Sequence, residues 1–315
     1  MSKIAYTKPS LSYEEQLSQL KSRGLLITNE KKTLHLLEVL SYYRLSGYWF
    51  PMLAHPKKNH IFKTDSNFEN AFQLYCFDRE LRQIVMSELE KIEIAVRAKM
   101  IFILSQEHGA FWFQNSVLFI NPLVFASTIS KMGNEFNRSD EQFIKSFKKT
   151  YNDPLPPGWM ATEISSFGNL SYLFQNLKPL PSKRSIANFF GLDESTFASW
   201  LHCIVYVRNI CAHHARLWNR DLRITPKIPI NPANNWLKVI SSQHSITKKE
   251  YLLNSKIYFF LSMIQYFLNT VSPENAFQNK IKRLFSNFAA VDKKAMGFPI
   301  GWELETLWKD KTCAN

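Results

Sequence analysis

Apolar residues recur at three- and four-residue steps over most of the chain, which is the period of an α-helix and not of a strand. The clearest run lies between residues 68 and 105, where Leu74, Phe77, Leu81, Ile84, Leu89, Ile92, Val96 and Ile103 mark one face. It predicts a long central helix. Residues 10 to 40 predict two shorter helices, the first opened by Ser12 with Glu15 three residues on, as in a capping box. The second carries an apolar face of Leu34, Leu37 and Leu40. The aromatic stretch "SYYRLSGYWFPM" follows, broken by Gly47 and stopped by Pro51. Tyr42, Tyr43, Tyr48 and Trp49 in it are expected to pack in the core and turn, not to stack on bases.

Punctuation divides the rest. Residues 54 to 67 are polar and read as a loop containing "HPKKNH"; His55 and His60 have no acidic or cysteine neighbour there, so a solvated loop is expected and not a metal site. "NDPLPPGW" at 152 to 159 breaks the helical pattern, which resumes in "TEISSFGNLSYLFQNL". A second break, "PLPSKRSIANFFGLDES", holds a short helix and leads into a motif helix over 195–220. Prolines 226, 229 and 232 forbid regular helix after it. Residues 247 to 288 predict another long amphipathic helix with a basic stretch at Lys280, Lys282 and Arg283. The strongest apolar run, Ile257 to Leu268, is 12 residues, too short to span a bilayer, and reads as a buried helix. The expected fold class is therefore all-α. One helical domain is predicted over 1–225 (N-terminal helices 10–50, central helix 68–105, motif helix 195–220). A proline-rich connector and C-terminal helices, 226–315, are expected to pack on the same body.

Composition agrees with a folded helical chain: 45% hydrophobic residues, 14% aromatic, and only 9 glycines in 315 residues. Cys76, Cys203, Cys211 and Cys313 form no C-x-x-C pair, and "MSKIAYTKPS" lacks the apolar core of a signal peptide. The expectation is a cytoplasmic protein with reduced thiols and no membrane partner. The charge changes the picture more. A formal net charge of +13 draws polyanions, which makes RNA, DNA or an acidic surface a plausible partner.

Candidate chemistry gathers in "VYVRNICAHHARLWNRD", residues 205 to 221. At 100° per residue, Phe197, Trp200, Val207, Cys211, Ala215 and Trp218 cluster around Ile204 as a buried stripe, with Arg208 at its edge. His213 then lies about 140° from Arg208, and His214 about 120° from it on the other side. On a straight helix of one chain neither histidine meets the arginine. Cooperation needs a helix ending around Cys211 to His214, a second chain, or both. Metal-free RNA cleavage needs a base for the 2′-hydroxyl proton, an acid for the leaving 5′-oxygen, and a cation for the charge building on the phosphoryl oxygens. Imidazole serves the first two roles and guanidinium the third. One Arg–His pair is half of such a site, so two copies facing each other predict a homodimer. The spacing alone scarcely exceeds chance; Asn209 beside the arginine, the amphipathic helix and the basic chain add weight. On the long helix, Glu93 and Arg97 stand four apart in the favourable order for an ion pair and are candidate supports of the site. Arg216, Arg220 and Arg223, with His214, read either as a basic helix end or as an RNA-contacting patch.

The blocks "SYYRLSGYWFPM", "LYCFDRELRQIVMSELEKIEIAVRAKM", "SFGNLSYLF" and "WLHCIVYVRNICAHHARLWNR", in that order, resemble the Abi-like (abortive infection) proteins of the HEPN superfamily, over roughly residues 30 to 225. "RNICAH" matches the superfamily signature, an arginine followed by a histidine after four to six residues. The resemblance implies a HEPN-like helical bundle with additional N- and C-terminal helices. It also implies a metal-independent ribonuclease without cofactor, and a dimer with a composite site. By position Arg208 and His213 would be its catalytic pair and Asn209 their polar companion, with no role assigned to His214. It further implies control by a small non-coding RNA partner. The alternative is an RNA-binding regulatory protein whose site is inactive or autoinhibited.

Overall fold

A computed structural model describes residues 5–7, 9–243 and 247–309. Among them are twelve α-helices and one two-stranded sheet, an all-α architecture. The chain divides into two compact units, the first residues 1–80 and 284–291, the second 81–283 and 292–315.

In the first unit, α1 (Tyr13–Ser22) opens on the predicted capping box: Ser12 Oγ accepts from Glu15 N at 3.2 Å, and Ser12 N donates to Glu15 Oε2 at 2.7 Å. Next come α2 (Glu30–Leu40) and α3 (Tyr42–Trp49). Gly47 does not break the aromatic stretch as expected. The α3 ladder continues through it, because one glycine costs a helix only about 1 kcal/mol, and burial of Leu45, Tyr48 and Trp49 outweighs that. Tyr48 and Trp49 are core residues, as the sequence suggests, but Tyr43 is 90% exposed.

The central helix α4 (Phe68–His108) runs for 41 residues, roughly 60 Å. Phe77, Leu81, Leu89, Ile92 and Val96 are buried on its apolar face. Then follow α5 (Pro122–Arg138), α6 (Gln142–Thr150), α7 (Gly158–Glu163), α8 (Phe167–Asn176), α9 (Pro181–Phe189) and α10 (Glu194–Ala212). Helix α10 packs against α8 and α9, and α8 packs against α5. Trp200, Phe197, Phe190, Phe267, Tyr266 and Trp236 close an aromatic core around α10. Gly191, at φ +72°, passes so near this core that a Cβ there would lie 2.7 Å from the Tyr266 hydroxyl.

The proline-rich segment after residue 221 returns along α10. Trp200 Nε1 donates to Lys227 O at 2.7 Å and Lys227 N to Ser199 Oγ at 2.9 Å. Beyond it, strands β1 (Ser241–Gln243) and β2 (Glu250–Leu252) pair antiparallel, with Ser242 opposite Tyr251. The single helix expected over 247–288 is instead β2 followed by two helices, α11 (Ile257–Val271) and α12 (Phe277–Asn287). Pro273 lies between the two, where a missing N–H and the ring prevent continuation. Ile257 to Leu268 are all buried, as predicted. Among the described residues no helix is long and apolar enough to cross a membrane.

One buried charge ties α4 to α12 inside the second unit. Glu88, its side chain 1% exposed, accepts from Lys280 Nζ at 2.6 Å and from Lys91 Nζ at 2.8 Å. Burial pushes its carboxyl up, but the hydrogen bonds from the two lysines outweigh that and hold it below the ordinary glutamate value. A depressed folded pKa means stability present above the unfolded value, near 4.3, and lost as pH falls through the folded one. Glu88→Gln is therefore expected to unfold at lower urea than the parent at pH 7. The gap should shrink as the pH is taken below about 4. A gap equal at both pH values would show that Glu88 acts by shape alone.

Candidate functional site at the end of helix α10

Asp193 caps α10, its Oδ1 accepting from Ser195 N and Thr196 N, both at 2.9 Å. Phe197, Trp200, Ile204, Val207 and Cys211 are buried as the helical stripe requires. The helix does not reach residue 220 as the sequence pattern suggested; it stops at Ala212. The physical reason is a Schellman ending. His214 N donates to Cys211 O at 3.0 Å and Ala215 N to Ile210 O at 3.0 Å, with His214 left-handed at φ +53°. Trp218 is nevertheless buried, 3% exposed, by the turn that follows and not by helical phase.

His213 is the C-cap, at φ −85° and ψ 11°, with its N–H on Asn209 O at 3.0 Å. It closes the last helical turn, where ideal helical phase puts it about 140° from Arg208. Asn209, His213 and His214 are exposed; Arg208 is partly exposed. Arg216, Arg220 and Arg223 lie beyond the helix and do not form a basic helix end. Arg220 Nε donates to Arg216 O at 2.7 Å, both side chains are half-buried, and Arg223 is exposed. Asp221 pairs with Lys256 at 2.6 Å and Leu222 N donates to Ser255 O at 2.8 Å, which anchors this turn.

Glu93 and Arg97 of α4 are brought to Arg208. Glu93 Oε2 lies 3.9 Å from Arg208 Nε, and Glu93 Oε1 accepts from Arg97 Nη2 at 3.0 Å. Arg97, 8% exposed, also donates through Nη1 to Ser165 O at 3.2 Å and to Thr162 O. One guanidinium thus satisfies carbonyls at the end of α7 and holds the carboxylate that faces Arg208. Among the described residues Glu93 is the charge partner of Arg208. Its nearest approach is to Nε, and the Arg208 side chain is 37% exposed; the terminal nitrogens are a pair suited to a phosphate. The role of α7 was invisible in the sequence because it contributes backbone carbonyls, which any residue supplies.

His55 and His60 do not meet as a ligand pair with acidic or thiol groups. Among the described residues no group of three or more His, Cys, Asp or Glu side chains can hold a metal ion. Cys203 and Cys211 are buried; burial alone pushes the Cys203 thiol far above the ordinary range. Cys313 lies outside the described residues.

These features define an all-α protein that presents an arginine, an asparagine and a histidine on the last two turns of one helix, braced by an acid–arginine pair from a second. The chain belongs to the Abi-like protein family, whose model matches residues 35–219. The match contains Glu93, Arg97, Arg208, Asn209 and His213, and ends before Arg220 and Arg223. No curated protein and no solved structure matches the chain. Membership of this family points to abortive infection, a form of phage defence.

Proposed function

We propose that the protein is a metal-independent endoribonuclease of phage defence that belongs to the HEPN superfamily and works as a homodimer with one composite site. The observation that supports this is the C-cap position of His213, exposed on the final turn and, by ideal helical phase, on a different face from Arg208. Such a pair serves one phosphate only when a second copy completes it. Arg208 stabilises the charge on the phosphoryl oxygens. His213 removes the 2′-hydroxyl proton, the 2′-oxygen bonds to phosphorus, and the bond to the 5′-oxygen breaks. His213 of the partner subunit gives that oxygen a proton. Asn209 is the polar companion, and Arg216, Arg220, Arg223 and His214 lie along the RNA path. No metal or cofactor takes part, and a small non-coding RNA is the controlling partner.

The face that would receive the second copy is on α4, one residue round the helix from Glu93 and Arg97. Ile94, Ala98 and Phe102 are all exposed there at four-residue steps, Ile94 by 58% and Phe102 by 63%. The test is end-chemistry of RNA incubated with the purified protein in EDTA. Attack by the 2′-oxygen leaves 2′,3′-cyclic phosphate and 5′-hydroxyl ends. Ile94→Asp with Phe102→Asp is expected to sediment as a monomer and to cut no RNA. Products with 3′-hydroxyl ends would end this reading. Intact RNA held by a dimer would favour the regulatory RNA-binding alternative.

A further inference from the structure

The first unit contains a second set of features that the site on α10 does not use. A cavity of about 680 Å³ opens between α1, α3 and the loop after Pro51. Its walls include Arg23, Tyr42, Tyr43, Trp49, Phe50 and His60. The "HPKKNH" loop is solvated as expected, every residue but Lys57 exposed, and it borders the cavity: His60 lines it, and Lys57 Nζ sits 4.2 Å from the centre of the Phe50 ring. Two non-glycine residues at positive φ shape this region, Ser41 at +67° just before the tyrosines and His60 at +56°. Both conformations carry a cost for a side-chain-bearing residue.

The chemistry of the walls narrows the ligand. The aromatic faces offer stacking platforms: Tyr43 is 90% exposed, and Phe50, 48% exposed, carries Lys57 over one face. Arg23 Nη1 donates to the Tyr42 hydroxyl at 2.9 Å, which fixes the guanidinium in the wall while its other N–H groups stay available for an anion. Burial pushes the Tyr42 hydroxyl above its ordinary value, and Arg23 opposes this only in part, so Tyr42 also keeps its proton to donate. Among the described residues no aspartate or glutamate lines the cavity, while Arg23, His60 and Lys57 stand in or beside it. A cationic ligand would find no counter-charge, and a purely aliphatic one would leave these groups unpaired. A flat aromatic anion satisfies both requirements, and the volume is that of an ordinary small-ligand site.

We propose that this cavity binds a nucleotide, with the base stacked on the Tyr43 and Phe50 side and the phosphate on Arg23. It stands apart from the ribonuclease reading. The same chemistry is offered by a free mononucleotide and by an unpaired residue of single-stranded RNA, and two arms of one experiment separate them. The 315-residue chain carrying Arg208→Ala and His213→Ala, which keeps any RNA intact, is titrated with AMP by calorimetry. It is also titrated with a labelled, unstructured ten-nucleotide RNA by fluorescence anisotropy, with blunt duplex RNA as the control. Tyr43→Ala added to this background is expected to weaken the cognate ligand about tenfold, the range of one lost base–aromatic stack. Arg23→Gln should weaken it at least as much, and duplex binding should be unchanged. Response of AMP and of the RNA alike assigns the site to a free nucleotide; response of the RNA alone assigns it to an unpaired base. If neither ligand is affected by Tyr43→Ala, the proposal is overturned. That residue is exposed and carries no folding burden, so the Tyr43→Ala comparison decides the matter even if Arg23→Gln fails to fold. Cleavage by the parent chain is scored separately, so loss of one reading leaves the other standing.

Discussion

RNA cleavage in EDTA falls by about 10²–10⁴-fold when His213 is replaced by alanine, the span set by losing a positioned acid or base. In a composite site one substitution removes both the acid and the base, because both come from the same position of two chains, so the upper half of that span is expected. Arg208→Ala removes the cation that meets developing charge on the phosphoryl oxygens and is expected to cost about 10²–10³-fold. Neither variant should lose much stability. His213 is exposed, Arg208 is 37% exposed on its side chain, and surface changes usually stay within about 0.5 kcal/mol. The control is His214→Gly. That residue occupies the left-handed position of the Schellman ending at φ +53°, where glycine is the usual occupant. The substitution should keep the helix end and keep most cleavage. Equal loss in His214→Gly and His213→Ala would move the chemistry to His214. Full cleavage by the His213→Ala variant would remove the catalytic assignment altogether.

Arg97→Met is expected to destabilise the fold by about 3 kcal/mol, read as a lower urea midpoint at unchanged slope. Methionine matches the stem of arginine in reach but not its charge or donors. The Ser165 carbonyl then loses its partner, the Thr162 carbonyl falls back on backbone donors such as Ser165 N at 3.2 Å, and Glu93, 18% exposed, keeps only the looser contact with Arg208 at 3.9 Å. Glu93→Gln separates the two duties of this network. The amide still accepts from Arg97 and packs the same way but takes the negative charge from beside that buried guanidinium, so stability should fall, by less than in Arg97→Met. Arg208 loses its charge partner, so cleavage should fall through a raised KM if Glu93 aims the guanidinium. Unchanged kinetics in Glu93→Gln, with the expected loss of stability in Arg97→Met, would mean that the pair serves the fold and not the site.

The two parts of this network were not equally legible in the chain. Glu93 and Arg97 could be named as a helix pair because four residues place them on one face whatever surrounds the helix. Their meeting with Arg208, more than a hundred residues away, depends on where α4 and α10 lie. Periodicity found the apolar stripe of α10 for a similar local reason. It overran the end by eight residues because Ala215 and Trp218 continue the helical phase by accident of composition. The stop comes from backbone hydrogen bonds around a left-handed histidine, a position where a glycine would have announced it.

By itself the sequence determined the all-α class, the central helix, the Ser12 capping box, the buried run from Ile257 and the basic charge that favours a polyanion. Each of these follows from contacts a few residues apart, where spacing dictates geometry. Tertiary structure alone decided that α10 ends at Ala212, that Arg97 spans from Glu93 to the end of α7, and that His60 of "HPKKNH" lines an aromatic cavity with Tyr43. These arrangements rest on backbone carbonyls, on the sum of many weak packing terms and on segments distant in the chain, none of which is encoded in the identity of a neighbouring residue.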